Sequence, residues 1–487
     1  MSDTATIATK TYGFLLDGRW VSEGDPFEVK SPYDGSVVAA VHRPQAGHVE
    51  TAVAAAVRAF DTTRRMPAYQ RQRVLRAIAE SVAARREEFA RTIALEAGKP
   101  IRTARFEVDR AIFTWNIAAE EAIRIYGEWL PLDAQASAKD RWALVRRYPV
   151  GPIAAITPFN FPLNLVGHKW APAIATGCTI VHKPASQTPI SSLLLAGIVE
   201  QAGWPAGALS VLPLSGRDAE TLVGDDRLKK LTFTGSAEVG WRLKQKAGKK
   251  RVTLELGGNA GVIIHHDADL ENAAERSVAG GFSYAGQSCI SVQRILVEAS
   301  VCDKFLAALV PSVEKLKLGD PLDDSTDVGP MISVADARRA AQWVEEAVAG
   351  GAALLCGGKR HGPLMEPTVL TETRPQMRVN CLEVFAPVVT VEPYTDFGEA
   401  IRRVNDSSFG LQAGLFTRDL KLAFAAYDQL EVGGVILGDV PTFRIDHMPY
   451  GGVKDSGLGR EGLRYAIEEM TERKLLVVNP QSSPSTD

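Results

Sequence analysis

Cysteine is scarce in this chain. There are five in 487 residues (Cys178, Cys289, Cys302, Cys356, Cys381), odd in number and with no CxxC pair. That argues against a disulfide framework or a cysteine zinc cage and fits a reducing, cytoplasmic compartment. The eight histidines form no HExxH or similar pattern, so no metal site is expected. No run of about 18 apolar residues occurs, which leaves no candidate for a membrane-spanning helix. Charge of one sign is also lacking: the net charge of -3 gives no electrostatic reason to expect nucleic acid or an anionic membrane as a partner. The opening MSDTATIATKTYG has no apolar core and does not read as a secretory signal.

What is present is an ordinary soluble composition, 45% hydrophobic and 23% charged, in a chain long enough for two or three domains. The first part reads as helical. In QRQRVLRAIAESVAARREEFARTIALEAGKP the residues Leu75, Ile78, Val82, Phe89 and Ile93 keep helical spacing, and Gly98 and Pro100 supply a stop. From about residue 150 short β-rich runs alternate with helical stretches: PVGPIAAITP, GCTIVHKPA, ALSVLPLS, LKKLTFTGS and RVTLELGG. A second series (QRILVEAS, AALLCGG, FAPVVTVEPY, LQAGLFTRD, GGVILGDV) follows Cys289. Such alternation predicts an α/β fold with two parallel-sheet domains dividing near residue 257. EWLPLDAQASAKDRWALVRRYPV reads as a hairpin arm, ERKLLVVNP as a lone strand whose open edge invites another subunit, and QSSPSTD as disordered.

Several chemistry-bearing residues fall at the ends of these runs. Cys289 lies among small residues in GFSYAGQSCISVQR, a loop that gives a nucleophile access, whereas a structural cysteine is ordinarily buried in an apolar run. Glu255 closes a strand before Gly257 and Gly258, Asn160 sits between aromatics and prolines in ITPFNFP, and Lys183 precedes a proline in VHKPA. Taken singly, these read as a capping carboxylate, a turn amide and a surface ammonium. In a parallel sheet, however, functional groups collect at the carboxyl ends of strands, and all of them stand there together with Ser236. FTGSAEVG adds a glycine turn into a helix suited to a pyrophosphate, although it lacks the GxGxxG spacing.

The boxes VTLELGGNA, AGQSCISVQR, ITPFNFP, HKPASQTP, FTGSAEVG, EVFAPV and PYGGVKDSGLGREG, in this combination and over nearly the whole chain, closely resemble the aldehyde dehydrogenase superfamily. The resemblance implies an NAD(P)-binding domain over 10–126 and 149–256, a catalytic domain over 257–470, and an oligomerisation arm over 127–148 and 471–480. It also implies a homodimer or homotetramer, with ERKLLVVNP pairing across a dimer. Matched position by position, Cys289 is the nucleophile, Glu255 the general base, and Asn160 the side-chain half of the oxyanion hole. Lys183 meets the adenosine ribose, Gly235 and Ser236 the pyrophosphate, and Glu383 and Phe385 the nicotinamide end. Ile156, Phe159, Phe233 and Leu256 line the cofactor cleft. The implied reaction oxidises an aldehyde to a carboxylic acid through a thiohemiacetal and a thioester that water hydrolyses. CoA-acylating relatives and non-catalytic proteins on the same fold are the rival readings. The glutamate of the LELGG box favours hydrolysis, and the intact catalytic positions favour turnover.

Two features set this chain apart. Ser186 stands where many NAD-preferring relatives carry Glu, so repulsion against a 2′-phosphate is lifted and NADP is expected beside NAD. The stretch between Gly240 and Arg251 is short for the family. For the substrate, Arg110 lies on a helix that borders the aldehyde entrance in relatives, and Arg444 lies in a loop lining the same tunnel, with His168 as a further contact. DVPTFRIDHMPYGG resembles the lactaldehyde and non-phosphorylating glyceraldehyde-3-phosphate branch, so a small polar or anionic aldehyde is expected. The bland alternative is that Asp109 and Asp446 simply pair with these arginines.

Overall fold

The computed structural model describes residues 10–480, and QSSPSTD lies outside them. The centre of the first layer is five parallel strands in the spatial order Arg251–Glu255, Lys230–Thr234, Ile153–Ile156, Ile180–Lys183, Leu209–Val211. The order reverses between Ile153–Ile156 and Lys230–Thr234, so this is a doubly wound sheet whose switch point opens a crevice at the strand ends. Phe233 pairs with Ile156 there, so the residues that follow both strands enter that crevice.

The second layer is a seven-stranded sheet built on Val388–Tyr394, Val292–Glu298, Ala260–Ile264 and Gln412–Phe416, all parallel. The sequence reading missed Ala260–Ile264, which the LELGGNA turn separates from the preceding strand by only a few residues. It also missed the short N-terminal strands Thr11–Tyr12, Phe14–Leu16, Arg19–Val21, Pro26–Lys30 and Val37–His42, too brief to show a period. The stretch read as one helix is two, Ala68–Ala84 and Arg86–Ala97. The stop falls at Gly98, whose φ of +68° caps the second helix and whose absent Cβ would lie 2.7 Å from Pro330.

ERKLLVVNP finds a partner within its own chain. Thr471–Val478 runs antiparallel to Trp142–Pro149, which also forms a hairpin with Glu128–Pro131. Its other edge stays open. The division near residue 257 is not a clean cut either: Gly457–Leu458 adds to the first sheet, and Leu463 and Ile467 of helix Leu463–Glu469 lie in the first core.

Two sheet-covering helices start on residues that cannot cap them. Leu163 precedes Asn164–Thr176 and Pro189 precedes Ile190–Gln201. Distant carboxylates do the capping. Glu107 accepts from the Leu163 and Asn164 N–H groups at 3.0 and 3.2 Å, and Glu96 from those of Ile190 and Ser191 at 2.8 and 3.0 Å. The second Glu107 oxygen pairs with fully buried Lys99, which lies over the Phe161 ring at 3.7 Å and is pulled down to about 8 by its burial. Glu107→Ala therefore strips a helix cap and leaves a buried ammonium unpaired, and is expected to cost about 3–5 kcal/mol. Thermal melts should show a clear drop in midpoint, largely recovered by adding Lys99→Met. A melt unchanged by Glu107→Ala would contradict this.

Candidate active site

The crevice of the first sheet faces the second layer across a cavity of about 340 Å³. Three loops build its wall. The strand Ile153–Ile156 runs into Pro158, Phe159 and Asn160, and Lys230–Thr234 into Gly235 and Ser236. Arg251–Glu255 ends in Glu255 itself, followed by Leu256 and Gly257. Cys289 comes from the opposite side, after a turn in which Tyr284, Ala285 and Gly286 have φ of +50°, +53° and +68°. Such consecutive left-handed residues are costly for side chains other than glycine, and here they throw the cysteine loop into the cavity.

The glycines after Glu255 are required by contact. A Cβ on Gly257 would lie 2.3 Å from Glu383 Oε2, and one on Gly258 2.2 Å from the Cys289 carbonyl oxygen. Glu383 Oε1 accepts from the Gly258 N–H at 3.0 Å, so the two layers are stitched together beside the nucleophile candidate. Phe385, at φ +51°, meets the edge of Phe159 with ring centroids 6.0 Å apart.

The electrostatics are those of a dry site. Both Glu255 oxygens are buried without a hydrogen-bond partner. Burial and the nearby Glu461 charge hold this carboxyl well above the ordinary glutamate range, against Arg444, Lys169 and Arg460. Burial pushes the Cys289 thiol up to about 12, opposed by its hydrogen bond to Tyr450 and by Arg444. Glu383 is raised to about 7 by burial. Asn160 Nδ2 donates to the Gln287 carbonyl at 3.1 Å, while its Oδ1 is buried and unpartnered.

Phe159, Thr234, Gly235 and Ser236 also line a second cleft of about 580 Å³, so the two spaces form one continuous groove. This outer cleft holds Ile156, Lys183, Ser186 and Phe233. Lys183 has no ion pair among the described residues and is lowered to about 8 by burial. Ser236 starts helix Ala237–Lys246 without capping it, leaving the first-turn N–H groups open to an anion. A Cβ on Gly235 would lie 2.6 Å from Phe233 Cζ, so the backbone there can be approached closely. Arg217 and Arg242 line the same cleft; Arg242 lies 3.4 Å from Glu220, and Arg217 acts on the same carboxylate from further away.

Arg110 and Arg444 both line the inner cavity, and both are tethered. Asp446, 2% exposed, takes Arg110 Nε and Nη2 at 3.1 and 2.6 Å, Asn164 Nδ2 at 3.1 Å and His168 Nε2 at 2.8 Å. Arg444 pairs with Glu461 at 3.1 Å, and Lys169 holds the other Glu461 oxygen at 3.1 Å. The pairing of Asp109 with an active-site arginine does not occur; its partner is Arg86. His168 is fully buried against Asp446 and 3.3 Å from Arg444 Nη2, and is not among the residues lining these two spaces. The sequence reading missed Tyr450, Glu461, Lys169 and Asn164, whose partners lie far away along the chain. A second surprise sits elsewhere: His265 and His266 share one Glu298 oxygen at 2.7 Å each, a grouping that strand pairing creates and no motif announces.

The profile of the aldehyde dehydrogenase family matches residues 20–476. A 3-sulfolactaldehyde dehydrogenase of Priestia aryabhattai is 46% identical over 477 residues, covering 98% of this chain and all of the relative. The crystal structure of aldehyde dehydrogenase 21 from Physcomitrella patens, in complex with its reaction product succinate, superposes with a TM-score of 0.96 at 44% identity, covering 98% of this chain and 100% of that one. A glyceraldehyde-3-phosphate dehydrogenase from Methanocaldococcus jannaschii complexed with NADP gives 0.91 at 40% identity, over 94% and 100%. With likeness of this extent in both sequence and fold, the chain belongs to the aldehyde dehydrogenase family and is an NAD(P)-dependent oxidoreductase acting on an aldehyde.

Proposed function

We propose that this enzyme oxidises a small aldehyde ending in carboxylate, sulfonate or phosphate, uses NADP as well as NAD, and works through Cys289 and Glu255. The observation that carries the reading is the meeting, in one cavity, of the Cys289 thiol, the unpartnered Glu255 carboxyl and the two tethered arginines. The named relatives act on sulfolactaldehyde, hold succinate or act on glyceraldehyde 3-phosphate, small molecules that each carry an anionic group. We propose further that the chain works as a homodimer or homotetramer in a reducing cytoplasm. The open edge of Thr471–Val478, where Leu475, Leu476 and Val477 remain exposed, and the five unpaired cysteines support this.

Lys183 and Ser186 would hold the adenosine ribose, the open start of helix Ala237–Lys246 the pyrophosphate, and Glu383 with Phe385 the nicotinamide end. Bound NAD(P) supplies the hydride acceptor. Cys289 gives up its proton to solvent, the thiolate Sγ attacks the aldehyde carbon, and the Asn160 amide, with the Cys289 N–H, stabilises the oxyanion. Loss of hydride from that adduct leaves a thioester on Cys289. Glu255, once ionised, takes a proton from the water that hydrolyses it, releasing acid and free thiol. Arg110 keeps Nη1 outside its bidentate bond to Asp446, so it can meet the substrate anion without giving up its tether.

Cys289→Ala should abolish turnover, and Glu255→Gln should stall hydrolysis after about one equivalent of reduced cofactor. A base must be deprotonated to act and Glu255 is raised, so wild-type turnover should climb with pH through a limb above the ordinary glutamate range. Rapid-mixing absorbance and a kcat–pH profile check both. Full steady-state activity in Glu255→Gln would reject the assignment.

NADP should serve within about tenfold of NAD. Ser186→Glu should cut kcat/KM for NADP by roughly ten- to a hundredfold, as loss of about 1.5–3 kcal/mol would, and leave NAD nearly unchanged. Steady-state kinetics with both cofactors decide it. Strong wild-type discrimination against NADP would refute this reading of Ser186.

Arg110→Ala loosens Asp446 for every substrate, but should lower kcat/KM for an anionic aldehyde by roughly a further ten- to a hundredfold beyond its loss for a neutral aldehyde of equal size. Equal losses for both, or a wild-type preference for hexanal or benzaldehyde, would dispose of the anion site.

A further inference from the structure

Tyr450 is absent from the roles assigned above, yet its hydroxyl lies 3.0 Å from Cys289 Sγ. The ring is 2% exposed and packs with Ile290 and Leu411. Its backbone is pinned by reciprocal bonds with Glu461, 3.1 Å from the Tyr450 N–H and 2.7 Å to its carbonyl. The Arg444 guanidinium sits 3.6 Å from the ring centroid. The next residue, Gly451, lies so close to the base that a Cβ there would fall 2.8 Å from Glu255 Oε1. One short turn thus touches both the nucleophile and the base.

We propose that the Tyr450 hydroxyl is the hydrogen-bond donor that stabilises the Cys289 thiolate, a catalytic contact in addition to Glu255 and Asn160. The proposal rests on the reading of Cys289 as nucleophile. The charged and titratable groups facing this sulfur are Tyr450, Arg444, Glu383 and Glu255. The two carboxyls raise the thiol, while Arg444 and the phenol ease it. Tyr450 is itself held well above the ordinary tyrosine range, by burial first, so the phenol keeps its proton when the thiol loses one. A phenol that stays protonated next to a sulfur anion can only donate. Arg444 on the face of the ring draws electron density from it, which makes the O–H a better donor. Phenylalanine would keep the packing and the cation contact and lose only this bond.

The test is iodoacetamide alkylation of the cofactor-free enzyme across pH, with peptide mass mapping of the modified residue. Only the thiolate reacts, so the rate reports its population. Tyr450→Phe should slow alkylation about tenfold at each pH below the inflection, as raising the thiol by about one pH unit would. Placing 3-fluorotyrosine at position 450, a more acidic phenol of nearly the same shape, should move the inflection down. This second variant decides the matter if the phenylalanine variant folds poorly by thermal melt. Cys289 alkylated with the same profile in wild type and Tyr450→Phe would overturn the proposal and leave the nucleophile assignment standing. Alkylation of Cys289 without loss of activity would overturn both.

Discussion

Asp446 is the interaction on which the site depends. A carboxylate this deeply buried persists only when its lone pairs are satisfied, and here Arg110, Asn164 and His168 supply four hydrogen bonds. Burial alone would raise it, but these partners, His168 first and then Arg110, hold it well below the ordinary range. The three partners stand on helices Ile101–Glu121 and Asn164–Thr176, whereas Asp446 belongs to the C-terminal loop. One side chain therefore locks that loop onto the first layer, and with it Arg444 and Tyr450.

The charges then run in sequence. Arg444 is held by Glu461, and Glu461 by Lys169 under the sheet. Glu461 in turn adds to the burial that raises the Glu255 carboxyl, and Arg444 eases ionisation of Cys289. Neither Glu255 nor Cys289 has its electrostatics set by an immediate sequence neighbour. The substrate's anion would meet the same arginines, so recognition and reactivity share one buried network.

Much of this was legible in the chain itself. The alternation of strands and helices gave the two parallel sheets, because buried parallel strands must be short, apolar and separated by helices. Glu255 and Lys183 could be singled out because each ends a strand just before a glycine or proline turn, and Asn160 because it stands in the proline-rich turn that follows one. Other features could not be read this way. The caps from Glu96 and Glu107 reach helices far along the chain, and nothing local marks them. No local signal shows which way the His168 ring points: every residue of helix Asn164–Thr176 is buried, and its histidine turns to Asp446. The strand Thr471–Val478 looked partnerless because its partner lies over 300 positions earlier, at Trp142–Pro149.

In the proposed reaction an anionic aldehyde is carried as a thioester on Cys289. The most direct measurement mixes the enzyme with NADP and a short aldehyde ending in carboxylate or sulfonate, quenches within milliseconds, and reads the cysteine peptides by mass spectrometry. One acyl adduct per chain should appear, on the peptide containing Cys289 and no other. An adduct on Cys302 or another residue, or turnover with no adduct at any time, would contradict it.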